Sequence, residues 1–166
     1  MMKDFRMKGI ESKDGIVRLF GERIVFIPPN IISLLGQIYG DGSKPLLKYL
    51  GKKMGRRLIE NWEEHIRPNN IQELCSIFLE MMSTSGWGHF TVEEISEDMI
   101  IVSLKHNISQ EEGSFTKDIC YFLNGLLTGF GDFALYNAVV TEYECSLTNT
   151  STNACRFIIQ KRNIKD

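Results

Sequence analysis

This chain has no marked excess of charge of either sign. Nineteen Lys and Arg stand against 21 Asp and Glu among 166 residues, a formal net charge of -2, scattered in short mixed clusters that give no long-range pull on nucleic acid or anionic lipid. Long apolar runs are missing as well. The most hydrophobic stretch, "ICYFLNGLLTGFGDFALYNAVV" at 119–140, reaches spanning length only by including Asn124, Thr128, Asp132 and Asn137; it reads as a buried helix, a turn and a strand, with no membrane span. The N-terminal "MMKDFRMKGIESKDG" lacks the apolar core of a secretory signal, so a cytoplasmic location is expected. No dinucleotide fingerprint is present: "GDGSKPLL" follows a helical pattern instead of a strand and has no third glycine. Repeats, linkers and low-complexity tails are absent, so one domain spans 1–166, with 1–14 read as a flexible or dimer-forming arm.

What is present suffices for one core. Apolar residues make up 43% of the chain and aromatics 10%, enough for a single domain of this length. "IVRLFGERIVFIP" alternates around Gly21-Glu22 as a hairpin does. Pro28 and Pro29 open a short helix with Ile31, Leu34, Leu35 and Ile38 on one stripe, and Ser43 can cap a longer one with the stripe Leu46, Leu47, Leu50, Met54, Leu58 and Trp62. Gly51 and Gly55 leave a groove on one side of that helix, at a spacing that lets a second backbone come close. The basic "GKKMGRR" at 51–57 is read as its solvated face.

Asn70 with Glu73 resembles a capping box for a helix striped by Ile71, Leu74, Cys75, Phe78, Leu79 and Met82, which places Cys75 in the core. His65 falls near the end of the preceding helix. Two strands, "WGHFTVEEI" and "MIIVSLKH", follow; parity puts His89 in solvent and His106 on the inward face of Ile100, Val102 and Leu104. Ser114 can cap a helix from Phe115 to about Gly131, and the strands "YNAVVTEYEC" and "ACRFIIQKR" end the chain. The expected fold class is α+β, an antiparallel sheet of about four to five strands against about four helices.

Four cysteines without an export signal imply a reducing compartment, where such groups bind metal or catalyse more often than they form disulfides. From Cys120 to Gly131 a helix climbs about 17 Å, and the next strand, at about 3.3 Å per residue, brings Glu142 back to the level of Cys120. The loop 146–154 opens after Cys145 and closes before Cys155. Cys120, Glu142, Cys145 and Cys155 can therefore converge. Residues 142 and 145 share a face only if a bulge lies between them, and Glu144 competes with Glu142 as the oxygen ligand. Three thiolates and a carboxylate suit zinc, and four protein ligands close the tetrahedron and leave a structural staple. So anionic a site should gather donors, for which Arg156 and Lys117 are near in sequence.

"CYFLNGLLTGFGDFALYNAVVTEYECSLTNTSTNACRF" resembles the C-terminal signature of the 4-vinyl reductase, or hydrocarbon-binding, domain family. It has a cysteine before a Gly-x-x-x-Gly helix (Gly125, Gly129), then Glu-x-x-Cys, then Cys-x-Phe. The resemblance also covers phenol-responsive activators and assigns zinc to Cys120, Glu142, Cys145 and Cys155. It implies a fold shared with vesicle-tethering subunits, an apolar pocket between helices and sheet, and a homodimer formed through the N-terminal part. Here the loop between Cys145 and Cys155 is longer than in the phenol sensors, and their aromatic-plus-histidine grip on phenol has no clear counterpart.

The function expected first is a sensor module that binds a small apolar or aromatic molecule and acts through an unidentified protein partner. His106 and Trp87 are the candidates for its polar lining. An enzyme subunit such as a vinyl reductase component is the alternative, although nothing in the sequence supplies an electron source. A ligand-free scaffold is a third reading. A thiol catalyst is the fourth, and it conflicts with cysteines occupied by metal.

Overall fold

A computed structural model describes residues 9–19, 21–62, 67–110, 117–149 and 151–162. Its elements run β1 (Ile10–Lys13), β2 (Ile16–Leu19), β3 (Glu22–Ile24), α1 (Asn30–Tyr39), a 3-10 turn (Gly40–Gly42), α2 (Ser43–Trp62), α3 (Ile71–Thr84), β4 (His89–Ile95), β5 (Met99–Lys105), a second 3-10 turn (Ile108–Gln110), α4 (Lys117–Ala134), β6 (Ala138–Glu144) and β7 (Ala154–Lys161). The class is α+β, as expected. The strands divide into two antiparallel sheets, one in the order β1-β2-β3 and one in the order β4-β5-β7-β6.

The first strand is joined to the second by an Asp-Gly turn. Asp14 and Gly15 both adopt positive φ, 50° and 76°, the backbone of a two-residue type I′ turn that pairs Lys13 with Ile16. Residues 10–13, grouped above with the N-terminal arm, are thereby part of a sheet. Arg57 of α2 anchors that sheet by donating to Glu22 at 2.7 and 2.9 Å.

The apolar stripe expected to bury α1 faces solvent. Ile31, Leu34 and Ile38 are exposed, whereas Ile32, Ser33 and Gly36 are buried. Small residues decide this. A β-carbon on Gly36 would overlap the Asp118 carboxylate, so α1 meets the start of α4 on its slimmest face. Ser43, expected as a cap, begins α2 and donates instead to the Asp118 carboxylate at 3.1 Å.

The seam between α2 and α4 is built from four glycines. An added β-carbon on Gly51 or Gly55 would strike the backbone oxygens of Phe122 and Leu126, and one on Gly125 or Gly129 those of Lys48 and Lys52. Each helix lays its own glycines on the other's carbonyls. Contact of backbone with backbone at this range requires residues without side chains. The basic residues of α2 lie beside the seam and are largely paired within the chain: Lys52 with Asp132 at 2.6 Å and Arg56 with Glu60 at 2.6 Å.

α4 covers the inner face of the larger sheet, where Ile100, Val102, Leu104, Phe157 and Ile159 are fully buried. Phe78 of α3 stacks on Phe130 of α4 at 4.3 Å between ring centroids. Each such side chain contributes roughly 1.5–3 kcal/mol of transfer free energy. Cys75 is among them, fully buried as expected, and burial pushes its thiol up to about 12. The capping arrangement at Asn70 is also found: its side-chain oxygen accepts from Glu73 N at 2.8 Å, while the Glu73 carboxylate accepts from Asn69 N at 2.7 Å. His65, Ser114 and the side chain of Trp62 lie outside the described residues.

Candidate metal centre

Two devices bring one end of α4 to the start of the last hairpin. First, Tyr136 and Asn137 take positive φ after α4, and Asp132 accepts from Ala138 N at 2.9 Å, reversing the chain into β6. Second, buried Asn124 donates to the Val140 oxygen at 3.1 Å. Asn124 is four residues, about 6 Å, along the helix from Cys120, and Val140 is two residues, about 7 Å, along the strand from Glu142. Cys120 and Glu142 therefore stand at one level.

The parity problem is solved by a bulge. Glu142 pairs with Phe157 and Glu144 with the very next residue, Arg156, so Tyr143 is the extra residue on β6. The bulge turns Cys145 to the face of Glu142 and sends Glu144 to the other side of the sheet. There Glu144 pairs with Arg156, which also donates to Glu93 at 2.9 Å. The choice between the two glutamates thus falls on Glu142. The same geometry removes Arg156 from the donors expected around the site.

Cys120, Glu142, Cys145 and Cys155 offer ligand atoms that all lie within 4.8 Å of one another. A tetrahedral ion with bonds of about 2.3 Å to sulfur needs edges near 3.8 Å, so the spacing fits such an ion. Glu142 Oε1 is buried with no hydrogen-bond partner. An acceptor left bare in the interior is costly, and a cation among the four groups would satisfy it. The cluster can hold a metal ion.

Its electrostatics follow from burial and mutual hydrogen bonding. The Cys120 thiol is raised far above the usual range because it donates to Cys145 and Cys155, which hold their charge instead. Those two are lowered to about 6, the bond from Cys120 being the main cause for each. Burial, with the charge of Cys145 next, raises Glu142 to about 7, against the pull of Lys117. Lys117 is thus the one expected cation that acts on the site.

Asn107 was missed by the sequence. It is 1% exposed and its amide nitrogen lies 3.6 Å from both Cys120 Sγ and Cys155 Sγ. His106, the residue before it, takes φ 51° at the end of β5 and is exposed. That left-handed step breaks the alternation of β5, so Asn107, not His106, is the buried residue after the strand. Trp87 is half-buried and stacks on Phe122 at 5.4 Å; His89 is exposed, as expected. The only signal for Asn107 was an asparagine at a strand end, where turns are common.

Among the described residues, an open groove of about 540 Å³ runs between α3 and β4. It is lined by Leu79, Phe90, Val92 and Ile95 together with polar residues that include Gln72, Glu80, Ser83, His89 and Thr91. The space between α4 and the sheet is occupied by the side chains of the core. No described helix is long and apolar enough to cross a membrane.

No protein-family model matches this sequence, and no curated protein matches it either. Solved structures do. The phenol-responsive sensory domain of the transcription activator PoxR, crystallised with phenol, superposes with a TM-score of 0.72 over 93% of this chain and 85% of its own, at 14% identity. A vinyl-4-reductase family protein from Methanocaldococcus jannaschii gives 0.57 over 87% of each chain, at 21% identity. Subunit 3 of a trafficking protein particle complex from Naegleria fowleri, covalently bound to palmitic acid, gives 0.57 over 81% of this chain and 90% of that one, at 13% identity. The chain has the fold these three proteins share, the one its C-terminal cysteine and glycine pattern implied.

Proposed function

We propose that the chain is a sensor domain for a small apolar or aromatic molecule, stapled by a structural zinc ion on Cys120, Glu142, Cys145 and Cys155 and acting through a protein partner. The observation that carries this reading is the convergence of three thiols and a bare carboxylate oxygen on a fold shared with a phenol-responsive sensory domain. Sulfur-rich donors favour zinc over magnesium or calcium, and four protein ligands leave no open position for water. When bound, zinc would supply cross-linking of α4 to the last hairpin, not Lewis-acid chemistry. We place the protein in the cytoplasm, a reading that its four free cysteines support.

The groove between α3 and β4 is the candidate ligand site. Its volume lies within the range of small-molecule pockets, and Leu79, Phe90, Val92 and Ile95 give it apolar surface among polar residues that include Gln72 and Glu80. Orientation then falls to Ser83, Thr91 and His89.

The exposed face of α1 and the segment before it support a homodimer. Phe26 and Ile38 are 72% and 74% exposed, in company with Val25, Ile27, Ile31 and Leu34. An apolar surface of this kind is a self-association site in a two-fold dimer, where the same patch serves both copies.

Native mass spectrometry of protein purified without added zinc tests the staple, with Cys120→Ser and Cys155→Ser alongside. One zinc per chain, lost in both variants, is expected; a folded, metal-free wild type would remove it. A thermal-shift panel of phenol, toluene and dodecane on the metal-loaded protein tests the sensor. A ligand at a hundred times its Kd stabilises by about 2.7 kcal/mol, so a flat response across the panel would remove the apolar-ligand reading.

A further inference from the structure

The donor set of the metal centre is strongly anionic, and the cations nearest it are few. Lys117 and Lys48 act on Glu142 at a distance, and Arg156 is committed elsewhere. What remains is neutral hydrogen bonding. Ser146 Oγ lies 3.3 Å from Cys155 Sγ. Asn107 reaches two sulfurs at once, from α4 and from β7. Among the described residues, no other hydrogen bond to Cys120 Sγ comes from outside the four candidate ligands.

The amide cannot turn away. Asn107 Oδ1 accepts from Ser109 N at 3.1 Å, which aims Nδ2 at the sulfurs. Its backbone oxygen accepts from Gln110 N at 2.8 Å and closes the 3-10 turn behind it. The left-handed step at His106 delivers the side chain to the interior. Burial to 1% leaves no water to compete for either end.

Resting on the zinc reading above, we infer that Asn107 is a positioning residue for the metal: its amide, shared between Cys120 and Cys155, holds the two sulfurs at a fixed separation and draws charge from them. Hydrogen bonds donated to a metal-bound thiolate lower its donor strength and fix its direction, as outer partners fix the orientation of metal-binding histidines. The role needs the N–H donor itself, not merely the volume of the side chain. Asn107→Leu keeps the volume and removes the donor. Asn107→Ser shortens the side chain and weakens the reach.

Cobalt(II) is the probe, because its thiolate-to-metal charge-transfer band reports sulfur donor strength whatever the global stability. With both Asn107 variants the band is expected to move to lower energy, and cobalt and zinc affinity by chelator competition to fall about 10- to 100-fold. Asn124→Leu is the control. It removes a buried hydrogen bond to Val140 without touching sulfur, so it should lower the melting temperature and leave the band in place. A band unmoved in whichever Asn107 variant folds, or moved equally by Asn124→Leu, would overturn the proposal. Absence of any charge-transfer band in the unaltered protein would remove the zinc reading itself, a different failure.

Discussion

Gly125 lies so close to the carbonyl of Lys48 that an added β-carbon would overlap the oxygen. The neighbour is backbone in a helix, which cannot swing aside as a side-chain tip can. Because the reciprocal contact is made by Gly55 on Leu126, the seam between α2 and α4 is one unit, and α4 carries Cys120.

Gly125→Ala and Gly55→Ala should each destabilise the protein by about 1–3 kcal/mol, the usual range for overpacking a well-filled interior. Better intrinsic helix propensity of alanine offsets only about 1 kcal/mol of this. Thermal unfolding of the two variants measures the cost. A melting temperature at or above that of the parent would mean the helices separate easily and the seam is not tight.

Glu142 and Glu144 are separated by one bulged residue, and their fates should differ. Glu142→Gln removes a ligand charge and should empty the centre or weaken zinc binding at least 10-fold. Glu144→Gln should leave metal content unchanged and only loosen Arg156, a partly exposed pair of the kind that adds little to stability. Metal analysis of both proteins after dialysis decides. Equal loss from the two would mean the bulge does not hold the register seen between Glu142 and Phe157.

Metal binding should depend on pH in a defined window. Binding requires all four groups deprotonated. Glu142, at about 7, and Cys145 and Cys155, at about 6, regain protons as pH falls, while Cys120 is raised and carries its proton throughout. Affinity is therefore highest above pH 7 and falls as pH drops through 7 and then 6. Titration calorimetry in buffers of different ionisation enthalpy should show about one proton released per metal at pH 8, approaching four at pH 5. A proton count that does not change with pH would contradict this ordering.

The face of α1 makes the last prediction. Ile38→Glu and Phe26→Glu place charge on side chains already exposed in the single chain, so the monomer's fold should survive. Sedimentation should shift from dimer to monomer in both. A dimer that persists would place its interface elsewhere, and a parent protein that is already monomeric would leave this apolar surface for a different partner.

Much of the site was legible because it depends on local arithmetic. Helix rise, strand rise and the loop between Cys145 and Cys155 are set by spacing, and they were enough to bring four ligands to one level, require a bulge between residues 142 and 145, and imply the α+β class. The Asp14-Gly15 turn is equally local, an Asp-Gly pair with both residues at positive φ. Other features had no local signature. Periodicity marked Ile31, Leu34 and Ile38 as the buried stripe of α1, but Asp118, 80 residues or more along the chain, admits only the small face at Gly36. Parity pointed His106 inward, and a single left-handed residue gave that place to Asn107. Composition and spacing determined which groups could bind a metal; which glutamate stands with the thiols, which amide lies against them and which face of α1 stays bare were decided by close contacts between segments distant in sequence, because only there do size and backbone direction compete.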